Sequence, residues 1–184
     1  MVFLESGLKF EFDDEKWQII EQFDVQTDYD KVKKKVQGTK SVDFIGINND
    51  GAYLFEIKGF RGYSDQQATR DRLAGNAEEL TSEIAQKVRD TLSCLMAGSR
   101  NSTHHSELWT TVSHAIMDNT KKLLVIAWVE EDIISEVREK RQKSKGITRR
   151  DKLKGKLSWL TSRVDFMNVR TYNNEIDGLT ITRL

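Results

Sequence analysis

Apolar and polar residues alternate over Leu8-Lys9-Phe10-Glu11-Phe12, the period-two signature of a short half-buried strand. Asp13 and Asp14 then stand where a helix cap would. They precede Trp17, Ile20 and, on the same side, Glu21 or Asp24, a spacing that predicts a first helix. A second short helix is expected over Tyr29–Val36, with Tyr29, Val32 and Val36 on one face and Lys33, Lys34 and Lys35 mostly outward. After Gly38 the texture changes. Val42-Asp43-Phe44-Ile45-Gly46-Ile47 and Tyr53-Leu54-Phe55-Glu56-Ile57-Lys58 are β-rich runs joined through Asn48-Asn49-Asp50-Gly51, a strong hairpin signal.

Residues 60–74, rich in Gly, Gln, Asp and Arg, read as a loop or helix entry. From Asn76, Leu80, Ile84, Val88, Leu92 and Leu95 recur at helical spacing as far as Gly98. A polar break at 99–105 precedes a helix carrying Leu108, Val112, Ala115 and Ile116. The continuous apolar run Lys122–Val129 fits a central strand covered on both faces. Residues 131–160 read as largely helical, broken at Gly146 and Gly155, and strands over Val164–Thr171 and Leu179–Arg183 finish the chain. The order β, α, β-hairpin, α, α, β, α, β, β suits an α/β or α+β fold, a mixed sheet flanked by helices.

Composition narrows the picture. A chain of 184 residues suits one domain spanning 1–184, and 38% hydrophobic residues supply a core. No apolar run approaches the ~20 residues that span a bilayer. The opening Met-Val-Phe-Leu-Glu-Ser lacks a basic n-region, so no secretory signal is expected. The lone Cys94 excludes an internal disulfide and supports no Cys-based zinc site. A soluble, cytoplasmic protein without a membrane partner is the expectation. Acidic and basic residues balance at 29 each, yet unevenly along the chain. Residues 1–30 hold nine acids and two bases, a net of −7, whereas 138–156 hold ten bases and two acids, a net of +8. Local field, not total charge, governs association with a polyanion.

The hairpin holds the most informative residues. A two-residue turn at Asn49-Asp50 or Asp50-Gly51 places Asp43 opposite Glu56 or Lys58. In either register Asp43, Glu56 and Lys58 project from one face, because side chains alternate with period two. Three charges among core-like positions are costly unless they pair or bind an ion. Two carboxylates and an ammonium suit a hard divalent cation that keeps sites for water and substrate phosphate. The plainer alternative is a cross-strand salt bridge, with Lys58 paired to Asp43 and Glu56 capped by solvent.

Asp43, twelve residues, then Glu56-Ile57-Lys58 followed by Gly59 resembles the D-x(n)-[D/E]-x-K signature of the PD-(D/E)xK nuclease superfamily, the restriction-endonuclease-like fold. The motif spans roughly 40–60, and the element order is similar to that fold's helix, three-strand meander, helix, strand core, leaving the Leu8–Phe12 and C-terminal strands as peripheral additions. The resemblance implies a metal-dependent deoxyribonuclease in which Asp43, Glu56 and the Ile57 backbone carbonyl bind Mg²⁺ or Mn²⁺ and Lys58 serves the attacking water. It also implies a further acid from the helix before the motif, for which Glu21 is the candidate. Val42 stands where the proline that names the motif would be, and Arg70 and Asp71 follow Gln66 and Gln67, so no Gln/Tyr subgroup is assigned.

The remaining candidates concern binding. Lys40 and Arg61 near the hairpin, and Arg149, Arg150 and Lys152 within the basic segment, could contact DNA phosphates by releasing counterions. A solvated helical face is the alternative. His104, His105 and His114 lack the partners of a zinc site and read as surface residues. No G-x-x-x-x-G-K-[ST] or G-x-S-x-G motif occurs. The leading reading is therefore a Mg²⁺-dependent endonuclease acting on DNA, with a homodimer or larger nuclease complex plausible. The alternatives are a non-catalytic or partner-activated nucleic-acid-binding or assembly subunit of the same fold, and a protein-interaction domain.

Overall fold

The computed structural model describes residues 1–74, 77–132 and 136–184, and the side chains in these ranges outside 136–143. In chain order the elements are β1 (Val2–Glu5), β2 (Leu8–Phe12), β3 (Trp17–Gln22), α1 (Thr27–Lys35), β4 (Phe44–Asn48), β5 (Gly51–Gly59), α2 (Gln67–Leu73), α3 (Glu78–Asn101), α4 (Ser106–Met117), β6 (Lys122–Glu130), α5 (Glu136–Lys156), β7 (Val164–Met167) and β8 (Leu179–Arg183). Five strands form a mixed sheet in the order β3-β4-β5-β6-β7, and three form an antiparallel sheet, β1-β2-β8. This is the mixed α/β, or α+β, architecture that the hydrophobic pattern predicts.

The β4–β5 hairpin anchors the large sheet. Phe44 pairs with Phe55 and Ile47 with Ala52, which leaves Asn49-Asp50 as the two-residue turn. Asn48 Oδ1 accepts the N–H groups of Asp50 and Gly51 at 2.9 and 3.2 Å, closing the turn. Gly51 is required by close approach, since a Cβ there would stand 1.9 Å from the Lys122 carbonyl oxygen. β6 runs parallel to β5, and β7 parallel to β6. Alternation then sorts the side chains. Ile45, Ile47, Leu54, Val125, Ala127 and Val129 pack beneath the helices with Leu80, Ile84 and Val88 of α3. Phe44, Phe55, Ile126 and Trp128 face the other way, against Phe10, Phe12 and Ile181 of the small sheet. The described helices thus join the core on one face of the large sheet, and the second sheet covers the other.

Several expectations are corrected. The segment carrying Trp17 and Ile20 is β3, not a helix. A bulge between Trp17 and Ile19 shifts the register against β4, so two residues three apart face the same side. Both crowd Gly46, where a Cβ would lie 2.5 Å from the Trp17 ring and 3.0 Å from Ile20. A bulged strand imitated helical spacing. Among the final strands only β8 belongs to the peripheral sheet, while β7 extends the large one. β7 is shorter than its apolar pattern, because Asn168 Oδ1 accepts the N–H groups of Arg170 and Thr171 and turns the chain. α5 continues through Gly146 and Gly155. The cost of about 1 kcal/mol per glycine is offset by the burial of Leu153, Leu157 and Arg149. No helix among the described residues is long and apolar enough to cross a membrane.

Candidate active site

The register that buries the hairpin also converges its charges. Pairing of Phe44 with Phe55 sets Asp43 opposite Glu56, and Asp43 N–H donates to the Phe55 carbonyl at 3.0 Å. Asp43 Oδ2 accepts the Ile57 N–H at 2.6 Å, which fixes the carboxylate against β5. Asp43, Glu56 and Lys58 share parity with Ile45 and Leu54 and so lie on the helix-covered face. They sit at the carboxyl end of β5, beside the switch from antiparallel β4–β5 to parallel β5–β6 pairing. Crevices at the carboxyl ends of strands, where an α/β sheet changes direction, are common ligand sites.

α3 completes the cluster from above. Its apolar stripe Leu80, Ile84, Val88 is buried, and the residue one position before two of these, Glu83 and Lys87, falls on the flank that meets the hairpin. Lys87 Nζ lies 2.7 Å from Glu56 Oε1 and 3.6 Å from Asp43 Oδ1, and donates to Glu56 Oε2 at 2.9 Å. Lys58 Nζ pairs with Glu56 Oε1 at 2.9 Å and with Glu83 at 3.3 Å. Glu83 also binds Arg72 of α2. Lys58 therefore pairs with Glu56 rather than Asp43, and Glu56 is capped by two ammonium groups rather than by solvent.

Burial dominates the electrostatics. Glu56 is fully buried. That burial, reinforced by the Asp43 charge, pushes its carboxyl up to about 7 against the pull of Lys87 and Lys58. Burial opposes the charge on Lys58, but Glu56, Glu83 and Asp43 together hold its ammonium above the ordinary lysine range. Burial also raises Asp24, and the Asp43 and Glu5 charges add to the shift while Lys87 opposes it. Asp24 Oδ1 is buried without a hydrogen-bond partner.

The placement expected for Glu21 is corrected. Glu21 lies on β3, opposite Ile45, not on a helix. Its carboxylate accepts from Gln26 at 3.0 Å. The acid that feels Asp43 is three residues later, past the end of the strand, where Phe23 N–H bonds to the Asp43 carbonyl. Glu83, Lys87 and Asp24 are absent from the local D-x(n)-E-x-K pattern. The signal for the helical pair was its i,i+4 spacing one residue off the apolar stripe.

The basic candidates divide. The Lys40 charge acts on Glu83 at the edge of the cluster, and Arg61 is exposed just beyond β5. Arg149 is a structural residue. Its side chain is 3% exposed, pairs with Glu131 and donates to the Leu73 carbonyl at 2.6 Å, leaving no free face for a phosphate. Arg150 and Lys152 are partly exposed, paired with Asp151 and Glu78. Arg138, Lys140, Arg141 and Lys143 of the basic segment lie outside the described side chains. His104, His105 and His114 are exposed, and burial pushes the Cys94 thiol up to about 11.

Among the described residues no three His, Cys, Asp or Glu side chains already converge as a metal cage. The donor chemistry nonetheless fits a hard cation. Asp43 and Glu56 are opposed across the strands, and the Ile57 carbonyl lies on the strand edge whose N–H meets Asp43. No family model, curated protein or solved structure matches the chain.

Proposed function

We propose that this chain is a metal-dependent nuclease of the PD-(D/E)xK kind, hydrolysing phosphodiester bonds in DNA as an endonuclease. The observation that carries the reading is the convergence of Asp43, Glu56 and Lys58 on one face at the carboxyl end of β5, with Lys58 one-fifth exposed at its mouth. In this reading Asp43 and Glu56, with the Ile57 carbonyl, would hold Mg²⁺ or Mn²⁺. The bound ion supplies a water acidified for attack and neutralises the phosphate oxygens. Lys58 would serve the attacking water and stabilise the charge that builds on the phosphate. Glu83 holds Lys58 in place, 3.3 Å away. Purified protein with Mg²⁺ or Mn²⁺ should cut plasmid and linear DNA, and Lys58→Ala should remove the activity. Equal cutting by both would reject the assignment.

One observation favours a second reading. Lys87 already neutralises the carboxylate pair, as expected of a nucleic-acid-binding subunit whose site is silent or awaits a partner. In that case calorimetric titration detects no Mg²⁺ or Mn²⁺ binding, while salt-sensitive DNA affinity persists. Mn²⁺ binding that Asp43→Asn abolishes would exclude it.

A further inference from the structure

The two acids of the site already share a cation, and it belongs to the protein. Lys58 reaches Glu56 and Glu83, whereas Lys87, alone among the described residues, bridges the pair, with Glu56 Oε1 at 2.7 Å and Asp43 Oδ1 at 3.6 Å. The contacts at Glu56 Oε1 are ion pairs without an aligned hydrogen bond. Lys87 holds Glu56 in addition by donating a hydrogen bond to Oε2 at 2.9 Å, while its contact with Asp43 is the longer ion pair. The Lys87 side chain is 13% exposed, and its flexible four-carbon stem comes from a helix rather than from the rigid hairpin. We infer that Lys87 is the internal counter-cation of the site, standing where a divalent ion must bind between Asp43 and Glu56, so that metal entry requires its ammonium to be expelled.

Charge and space both lead to this exchange. Two carboxylates facing each other across the strands repel, and a cation between them relieves that repulsion. A divalent ion takes carboxylate oxygens at about 2.0–2.1 Å for Mg²⁺, on the oxygens that Lys87 now holds at 2.7 and 2.9 Å. Ammonium and metal repel each other at such range, so the two occupy the pair in turn. Lys87 thereby keeps the metal-free protein folded with its acids paired, and lowers the apparent affinity for the ion.

This inference rests on the reading of Asp43 and Glu56 as metal ligands, and one experiment separates the two. Mn²⁺ binding is measured by calorimetry, and thermal midpoints with and without Mn²⁺, for wild type, Lys87→Met and Lys87→Met/Asp43→Asn. Without metal, Lys87→Met should melt below wild type. It should bind Mn²⁺ about tenfold tighter or more, the ratio that a ~1.4 kcal/mol loss of competition produces, and gain more in midpoint on Mn²⁺ addition. The double variant should lose that gain. Wild type and Lys87→Met binding Mn²⁺ equally would overturn the inference while leaving the metal-ligand reading intact. A gain that survives Asp43→Asn would also overturn it, and no binding by either protein would overturn both. Lys87→Gln, neutral but able to donate to Glu56, provides the same comparison should Lys87→Met fail to fold.

Discussion

Asp28 and Glu56 are both buried carboxylates with a lysine at hand, yet the fold treats them in opposite ways. Asp28 Oδ2 accepts Ser102 Oγ at 2.7 Å and Trp109 Nε1 at 2.9 Å, and Oδ1 accepts Lys31 Nζ at 3.0 Å. Burial works against its charge, but these hydrogen bonds, led by Ser102 and Trp109, hold the carboxyl below its ordinary range. The result ties α1 to the α3–α4 junction. Glu56 has two ammonium groups within 3 Å, but it faces Asp43 and is pushed up to about 7. A carboxylate satisfied by neutral donors built into the scaffold is committed to structure. One held by movable cations and opposed by a like charge keeps its bonding capacity for exchange.

On the proposed nuclease function, the largest expected difference between these clusters is in activity: Glu56→Gln should reduce Mn²⁺-dependent DNA cleavage about 100-fold or more, whereas Asp28→Asn, assayed at a temperature where it is folded, should stay within a few-fold of wild type. Equal losses would erase the distinction. Stability should show the reverse ranking. Asp28→Ala leaves the Trp109 and Ser102 donors without their acceptor and should cost about 3 kcal/mol in urea unfolding.

Their pH dependences should have opposite signs. The folded pKa of Glu56 is raised, so the folded state binds its proton more tightly than the unfolded state. Its contribution to stability should fall as pH rises from 4.5 to about 7, by on the order of 3 kcal/mol, and then level off. Subtracting the Glu56→Gln profile from wild type over that window isolates this slope, and a flat difference would contradict it. Asp28 is depressed, so its contribution is complete above the ordinary carboxylate value of 3.8 and is lost as pH falls through the lower folded value. The smallest effect belongs to Lys31→Ala. That lysine is 58% exposed and should cost no more than about 0.5–1 kcal/mol, read as a small shift in urea midpoint. Asp28 does not depend on its lysine as Glu56 and Asp43 depend on Lys87.

Arg149 and Arg150 repeat the lesson on α5. Neighbours in a run of bases look alike in sequence, but one points into the core toward Glu131 and the Leu73 carbonyl while the other is partly exposed. A charge run reports total field, and only packing decides which members remain available to a ligand.

Local pattern determined the hairpin, its two-residue turn, the long amphipathic helix with Leu80, Ile84 and Val88 inward, and the shared face of Asp43, Glu56 and Lys58. Each follows from side-chain periodicity or turn chemistry within a few residues, so neighbouring positions contain the information. Tertiary structure alone decided that Trp17 and Ile20 lie on a bulged strand, because the bulge is defined against β4. It alone put Glu21 on a strand opposite Ile45, and set Lys87 between Asp43 and Glu56. Those relations join residues up to 44 positions apart, and burial sets their strength by removing the water that would otherwise screen them. Sequence spacing carries neither the distance nor the dielectric.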